Sequence, residues 1–459
     1  MHLIQLRRLA AALASCGFVA VAAPAASQAA FEAPYNVQCS GSAVNALGTR
    51  LQYQIAGHWS AAFHSGGSAL ACKGAGLSTV ETFNASSPRA LEALGSVGGV
   101  RQPFFTTVNS EEPPTLSQWL DIDLGDKPGE DSGLIRQIPV TSTAIVPLVN
   151  FPAGCKIPAK EATADGRFIV SNSQVEQVYE GKIATWGELL PDIESSCATK
   201  PIKRVVPESA QGSTFVFKQW LAKVDPTLGW EESSTLPNAS WPNDSGATST
   251  VRAEGGEGGE AETVIATDGS FGFASLPVAR EFEFGVFSPE NPFHPSSDHQ
   301  FWLSLVNGAA ARTQPTRDPN SGADNVLGAN CDNPTFNYTP SGYDTTVTPI
   351  WRTVSAAGSK TGWPICTLSY DLAWDDSSTV YGNTTENEAQ QRTVKDYLAY
   401  ALGPVGQQEA KEGDYSPLPA AILADAKDGQ SRVGWNKVPG SKSNTIKTQI
   451  AAAAEHTTR

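Results

Sequence analysis

Hydrophobic and polar residues alternate along the chain in blocks that are typical of strands and helices. The segment IPVTSTAIVPLVN, residues 138–150, is rich in β-branched residues and bounded by turn residues, which predicts a buried strand. The segment SNSQVEQVYEGKIATWGELL has apolar residues three and four positions apart and Ser171 or Asn172 as its cap, which predicts a helix. Strands that alternate with helices in this way indicate an α/β protein with mainly parallel strand pairing.

The same pattern continues towards the C-terminus. KRVVP predicts a strand that leads into the loop and helix of VVPESAQGSTFVFKQWL, residues 205–221, and SFGFAS predicts another strand. ENEAQQRTVKDYLAYAL predicts a long helix, and a turn and a second helix are expected in GDYSPLPAAILADAK. Residues from about 288 to about 362 are dense in Pro, Asn, Asp and Gly, which predicts a loop-rich insertion.

The first thirty residues have the pattern of an export signal. Arg7 and Arg8 precede the apolar run LAAALASCGFVAVAA, and the small residues around Ala29 suit cleavage. A second interpretation is a lipoprotein signal with a lipid anchor on Cys16. No later segment has the ~18 consecutive apolar residues of a membrane span. We therefore expect an exported protein that is periplasmic, attached to the cell surface or secreted, and its 459 residues are enough for two lobes.

Cleavage of the leader would leave six of the seven cysteines, an even number that suggests disulfides in an exported protein. The sequence does not select among the possible pairings. Pairing between neighbours is favoured because each pair then flanks one local segment. These pairs are Cys39–Cys72, Cys155–Cys197 and Cys331–Cys366.

Net charge excludes some classes of partner. The leader holds two arginines and no acid, so the rest of the chain has 32 − 2 = 30 basic and 47 acidic residues, a net charge of −17. This balance argues against nucleic acid and against an anionic membrane surface. A small anion can still bind, because it responds to its local site once salt screens the remote charges. Metal-ligand spacings of Cys or His, a complete P-loop and a GxSxG motif do not occur, so no metal, no cofactor and no catalytic residue is expected.

The loop before FVFKQWL is the clearest candidate for a binding site. A helix that begins at Gly212, Ser213 and Thr214 would direct unpaired backbone N–H groups and two hydroxyls at one point. Its macrodipole would attract an anion to that point. Ser and Thr are also common helix caps, so ordinary capping is the alternative.

Several segments resemble, in the same order, motifs of phosphate-binding proteins, which are the extracytoplasmic receptors of phosphate ABC transporters. YEGKIATWGEL is similar to their G-K-I-x-x-W helix, and VVPESAQGSTFVFKQWLAKVDP is similar to their R-x-D-G-S-G-T anion loop and helix. EGGEGGEAETV, DGSFGFAS, GWPICTLSY and VKDYLAYALGPVGQQEAKEGDYSPLP resemble the segments that come next, ending in Y-x-P-L-P. The likeness spans roughly residues 36 to 430.

The resemblance implies a two-lobed α/β fold of the periplasmic-binding-protein type (type II), with the ligand cleft between the lobes. Residues 1–30 would be the signal peptide. One lobe would combine residues 31–140 with residues 365–459, and the other would be formed by residues 141–364, including the insertion.

The resemblance also implies ligand positions in the first half of the chain. CSGSAVNAL resembles the family's first loop and places Ser42 near its Thr hydroxyl. NASSPRALEALG resembles a Ser-rich helix start and places Ser86 and Ser87 as donors, with helix capping as the alternative. NSEEPPT resembles the G-S-D-x-P turn and places Glu111 at the position of its carboxylate. The alternative is that Glu111 is an ordinary solvent-exposed acid in a turn.

In the anion loop, the family's Ser, Gly and Thr fall at Gln211, Gly212 and Ser213, and Thr214 follows. The family's phosphate-binding Arg falls at Pro207, which offers neither a charge nor a backbone N–H. Arg89, three residues after Ser86, is the candidate for the missing charge.

The expected function is that of a non-enzymatic, monomeric solute-binding protein that binds phosphate or a related small oxyanion for a membrane ABC permease. The alternative is a secreted or surface protein of the same fold with altered or lost ligand specificity and no transport role. Pro207 favours this alternative, and so do the nearby acids Glu111 and Glu208. Hydrolysis of phosphate esters is the least favoured reading, because no nucleophile is paired with a base.

Overall fold

The computed structural model describes most of the chain between Cys39 and Asn436. The predicted signal peptide, the alternative lipid anchor at Cys16 and most of the predicted insertion lie outside the described residues. The described ranges are 39, 41–65, 71–72, 80–85, 90, 105–110, 135–161, 168–230, 239–242, 249–284, 299–307, 311–313, 331 and 363–436.

The described strands form a mixed nine-stranded sheet and a smaller three-stranded sheet. The large sheet has the order β2–β1–β3–β12–β4–β8–β6–β7, with β9 also paired to β4, and the small sheet has the order β11–β10–β5. The strands are β1 (Val44–Thr49), β2 (Val80–Ala85), β3 (Phe105–Ser110), β4 (Ile135–Asn150), β5 (Ile169–Ser171), β6 (Lys203–Pro207), β7 (Thr250–Ala253), β8 (Ser270–Ser275), β9 (Gln300–Trp302), β10 (Ser304–Asn307), β11 (Ala311–Thr313) and β12 (Cys366–Trp374).

Helices connect these strands and cover the sheet. Ser171 and Thr185 start two of them with capping boxes, in which the side chain accepts from a backbone N–H three residues later. Among the described residues, no helix is long and apolar enough to cross a membrane. The helices are α1 (Arg50–Ser65), α2 (Asn172–Glu180), α3 (Trp186–Leu189), α4 (Ser195–Ala198), α5 (Gly212–Val224), α6 (Gly256–Ala266), α7 (Leu276–Glu281), α8 (Ser378–Tyr381), α9 (Thr385–Ala401), α10 (Pro404–Glu412) and α11 (Ala420–Arg432).

Two hydrophobic cores lie on the two halves of the large sheet, which gives a two-lobed α/β architecture. The first core contains β1, most of α1, the start of β4, most of β12 and α9 to α11. The second contains the end of β4, α2 to α7, β6 and β8. The chain passes from the first core to the second within β4, between Val140 and Ala144, and returns within β12, between Cys366 and Leu368. The lobe boundaries at residues 140 and 364 stay a prediction.

The crossing in β4 is braced by the loop before α11. Ser142 and Ser416 exchange two backbone hydrogen bonds, with N–O distances of 3.0 and 2.7 Å. The hydroxyl of Thr141 donates to the carbonyl oxygen of Ser416 at 2.9 Å. The SPLP turn is therefore part of the connection between the lobes.

Most of the predicted strands and helices form, but one predicted helix is divided into two and one further helix was not predicted. The strands predicted in IPVTSTAIVPLVN, KRVVP and SFGFAS are β4, β6 and β8, and β4 begins earlier, at Ile135. The single helix predicted after Ser171 is divided, because Gly181 adopts a φ of 91° and ends α2 before Thr185 starts α3. The predicted helices near the C-terminus are α9 and α11, and α10 is an unpredicted helix between them.

The structure forms the three predicted disulfides between neighbouring cysteines. Cys39–Cys72 lies in the first lobe, and Cys155–Cys197 lies in the second. Cys331 pairs with Cys366 at the start of β12 and thereby fixes one point of the predicted insertion to the sheet.

Candidate functional site

The start of α5 lies at the end of an interior strand. β6 pairs with β8 on one side and with β7 on the other, and it ends at Pro207. After a short polar loop, Gln211 is the N-cap residue and α5 begins at Gly212. Ser213 and Thr214 follow in the first turn and are fully buried. The helix therefore begins where the sequence predicted.

The donors of this first turn are not used by the described part of the protein. The N–H of Gln211 donates to the carbonyl oxygen of Ala239 at 2.9 Å, but the N–H groups of Gly212, Ser213 and Thr214 have no partner among the described residues. The buried hydroxyls of Ser213 and Thr214 have none there either. The alternative that Ser213 or Thr214 caps the helix is wrong, because Gln211 is the N-cap residue of α5. The turn therefore offers backbone and hydroxyl donors to an anion.

The start of α6 lies against the start of α5. Gly255 precedes α6 with a left-handed φ of 83°, and Gly256 has a φ of 70°. A Cβ atom on Gly256 would lie 3.2 Å from Nε2 of Gln211. Glycine at this position therefore permits both the left-handed backbone and the close approach of the two helix starts.

Two buried glutamates fix α6 to the end of β8. Oε1 of Glu260 accepts from the N–H of Phe273 at 3.1 Å, and Glu257 accepts from the N–H of Ser275. On this side of β8, pairing with β6 ends at Phe271. Beyond that residue, the two carboxyl groups accept from backbone N–H groups of β8 in place of a neighbouring strand. Burial raises the pKa of Glu260 well above its usual value and also raises the pKa of Glu257. The hydrogen bonds from Ser275 and Phe273 oppose this rise in pKa, because they favour the ionised carboxylates.

The start of α1 brings a cation from the first lobe to α6. Leu51 is fully buried in the second core, whereas the rest of α1 packs in the first. Arg50 donates through Nη2 to Glu281, the last residue of α7, and Glu281 also accepts from Gln54 at 2.7 Å. A Cβ atom on Gly258 would lie 3.8 Å from Cζ of Arg50. The start of α6 therefore contacts both the start of α1 and the start of α5.

The structure brings together only some of the predicted ligand residues. Ser42 lies against α9: its N–H donates to the carbonyl oxygen of Ala389 at 3.2 Å, and its own carbonyl oxygen accepts from Thr393 at 2.6 Å. Gln211, Gly212, Ser213 and Thr214 share one turn. Ser86, Ser87, Arg89 and Glu111 lie outside the described residues. All nine residues remain predicted ligands.

The altered positions of the anion loop carry no positive charge. Pro207 is buried at the end of β6 and pairs with Ala253. Glu208 is exposed, and its N–H donates to the carbonyl oxygen of Ala253 at 2.8 Å. The loop therefore offers no cationic side chain in place of the family's arginine.

Sequence reasoning did not single out Thr49 or Arg50. Thr49 is 1% exposed, and its hydroxyl has no partner among the described residues. A signal was present, because the strand VNALGT runs directly into RLQYQIAGHWSAAFHS, whose apolar residues have helical spacing. Junctions between a strand and the following helix are the places where α/β proteins bind ligands.

The sequence of this chain is similar to those of known binding proteins. Residues 123–286 match the profile of the PBP superfamily domain. The phosphate-binding protein PstS of Haemophilus influenzae is 22% identical over 343 residues, which cover 73% of this chain and 82% of the relative.

Solved structures share the fold at low sequence identity. A human phosphate binding apolipoprotein superposes with a TM-score of 0.56 at 15% identity, covering 88% of this chain and 100% of that chain. A phosphate-binding protein from Stenotrophomonas maltophilia superposes with a TM-score of 0.53 at 13% identity, covering 84% of this chain and 93% of that chain. The predicted two-lobed periplasmic-binding-protein-like fold is therefore confirmed. The matching family and relatives are named for binding rather than for catalysis.

Proposed function

We propose that the chain, which matches the PBP superfamily domain and is similar to the phosphate-binding protein PstS, is a divergent phosphate-binding protein and binds phosphate or a related small oxyanion as a solute-binding protein. The observation that carries the proposal is the first turn of α5. Its backbone N–H groups and the hydroxyls of Ser213 and Thr214 are buried donors without partners among the described residues. Buried polar groups are normally hydrogen-bonded in proteins, so a ligand is the natural acceptor for them.

The donor set suits an anion in energetic terms. A hydrogen bond to a charged group contributes about 1.5–3 kcal/mol, roughly twice as much as a hydrogen bond between neutral groups. The helix macrodipole adds to this attraction at the same place. A few such donors, held rigid by the buried helix, are enough for a specific site.

The finer part of the proposal is delivery to a membrane ABC permease. Lobes that close on a ligand give two distinguishable states, and a permease can recognise the closed one. β4 and β12 are the described connections about which such closure would occur. The expected export of the chain agrees with this role.

Pro207 supports a second candidate function. An arginine at this position would supply a bidentate, charge-assisted contact, and proline supplies none. A secreted or surface protein with the same fold, with altered or lost ligand specificity and no role in transport, would retain the scaffold and lose that contact. The two candidates differ in which ligand the protein binds.

Calorimetric titration and thermal unfolding distinguish these candidates. Inorganic phosphate, sulfate and a mixture of amino acids would each be titrated into the purified protein. A ligand present at a hundred times its dissociation constant should add about 2.7 kcal/mol to the free energy of unfolding. Stabilisation by phosphate or by sulfate supports the first candidate. Stabilisation by amino acids alone, or by nothing tested, contradicts it and favours the second.

A further inference from the structure

We propose that Arg50 supplies the positive charge of the binding site, reaching the anion from the opposite lobe; this inference rests on the proposed function. The candidate anion turn belongs to the second lobe, where Pro207 and Glu208 provide no cation. Arg50 is the first residue of α1, and the next residue, Leu51, is buried in the second core. The first turn of α1 therefore enters the second lobe.

The first turn of α6 connects Arg50 to the anion turn. Gly258 lies beside the guanidinium of Arg50, and Gly256 lies beside the side chain of Gln211. Arg50 and the N-cap residue of α5 therefore both contact the first turn of α6, at Gly258 and Gly256 respectively.

The guanidinium of Arg50 still has a buried donor to offer. Nη2 is engaged by Glu281 towards the more exposed side, where the Arg50 and Glu281 side chains are 25% and 39% exposed. Nε is buried and has no hydrogen-bond partner among the described residues. Arginine presents its donors in a planar fork, so one edge can hold Glu281 while the Nε edge binds an oxyanion.

Neighbouring groups favour this assignment. Hydroxyls without partners among the described residues lie at both helix starts, on Thr49 beside Arg50 and on Ser213 and Thr214 in α5. Glu257 lies in the same turn of α6; burial raises its pKa, whereas hydrogen bonds from Ser275 and the charge of Arg50 oppose the rise. An anion bound here would close the two lobes, because its donors come from α1 in one lobe and α5 in the other.

Titration of inorganic phosphate into R50Q, R50K and R280Q tests the inference. R280Q is the matched control, because Arg280 also forms an ion pair between the lobes and its side chain is 28% exposed. R50Q should weaken phosphate binding about ten- to hundredfold. R50K keeps the positive charge but lacks the Nε–H donor of arginine, so its loss of phosphate affinity should be intermediate. R280Q should weaken binding less than about threefold, since it removes only a lobe contact.

Each outcome has a separate meaning. If R50Q binds phosphate like the unmodified protein, or if R280Q loses as much affinity as R50Q, Arg50 is not the anion's cation while the proposed function stands. If the unmodified protein binds no oxyanion, the proposed function fails, and this inference fails with it. Circular dichroism and melting temperature would establish that each variant is folded. The result that supports the inference is selective weakening by the two Arg50 variants.

Discussion

Arg280 donates through Nε to Oδ2 of Asp414 at 2.5 Å and so joins the end of α7 in the second lobe to the loop after α10 in the first. The two side chains are 28% and 24% exposed. Burial raises the pKa of Asp414, while the neighbouring Arg280 opposes that rise. Together with the pair between Arg50 and Glu281, this contact fixes α7 to the opposite lobe at two consecutive residues.

The D414N variant should weaken this contact without disturbing the loop. Asp414 has a left-handed φ of 71°, a conformation that Asn tolerates well. Loss of a partly exposed ion pair should lower the free energy of unfolding by up to about 1 kcal/mol. Urea denaturation at low and high salt measures this, and the difference from the unmodified protein should shrink as salt rises. A difference that does not change with salt would show that the pair contributes no charge interaction.

Removal of the hydroxyls at α5 should reduce affinity rather than stability. S213A and T214V should each weaken phosphate binding about tenfold or more, because each removes a donor to a charged ligand. Their free energies of unfolding should be unchanged or slightly higher, since both hydroxyls are buried without partners among the described residues. Calorimetric titration and urea denaturation measure the two effects.

T185V is the matched control for these variants. The hydroxyl of Thr185 accepts from the N–H of Glu188 and caps α3. T185V should lower the free energy of unfolding by about 1 kcal/mol and leave phosphate affinity unchanged. The opposite assignment, with S213A or T214V destabilising and not affecting affinity, would contradict a ligand role for α5.

Asp371 should give the protein a pH-dependent stability. It is fully buried in β12, and Gln52 donates to its Oδ1 at 2.6 Å. Burial raises the pKa of Asp371 to about 7, although the hydrogen bond from Gln52 opposes the rise. Because the folded pKa is above the unfolded one, its contribution is fully favourable below about pH 4 and is lost as pH rises to about 7.

The D371N variant removes this titration and keeps an oxygen acceptor for Gln52. Between about pH 4 and about pH 8, the difference in the free energy of unfolding should shift by a few kcal/mol in favour of D371N. Urea denaturation across this range measures the shift. A difference that stays constant with pH would contradict the raised pKa.

The disulfide between Cys155 and Cys197 should stabilise the second lobe. The two cysteines are 42 residues apart and both belong to the second core. The C155A/C197A double variant should lose about 2–4 kcal/mol of unfolding free energy, because the unfolded chain gains freedom. Urea denaturation measures the loss. Free thiols found by titration of the unfolded, unreduced protein would contradict the pairing.

The sequence was most informative where local pattern and buried position agree. β4, β6 and β8 are runs of β-branched or aromatic residues, and each is fully or largely buried in the sheet. α5 begins after Gln211 because the apolar spacing of FVFKQWL starts there. Pairing between neighbouring cysteines was predicted because each pair flanks one local segment, and the structure forms these three disulfides.

The binding site was less accessible to the sequence because its parts come from distant segments. Arg50 meets Gly258 and Glu281 only after the first turn of α1 enters the second lobe. Ser42 has a Ser-rich context that resembles a binding loop, yet it lies before β1 and contacts α9. Local pattern cannot show which strand–helix junction faces another lobe, since that depends on packing between residues far apart in the chain.

The shared strands also determine how the lobes can move. β4 and β12 are paired from Cys366 opposite Ala144 to Trp374 opposite Ile135, with a shift of register between Ser369 and Tyr370, so the pairing continues through the crossing. Bending at one residue would break neighbouring rungs of this two-stranded ribbon, whereas a small change in twist spread over its length would keep them. We therefore expect the lobes to open by a change in the twist of β4 and β12 rather than by bending at one residue.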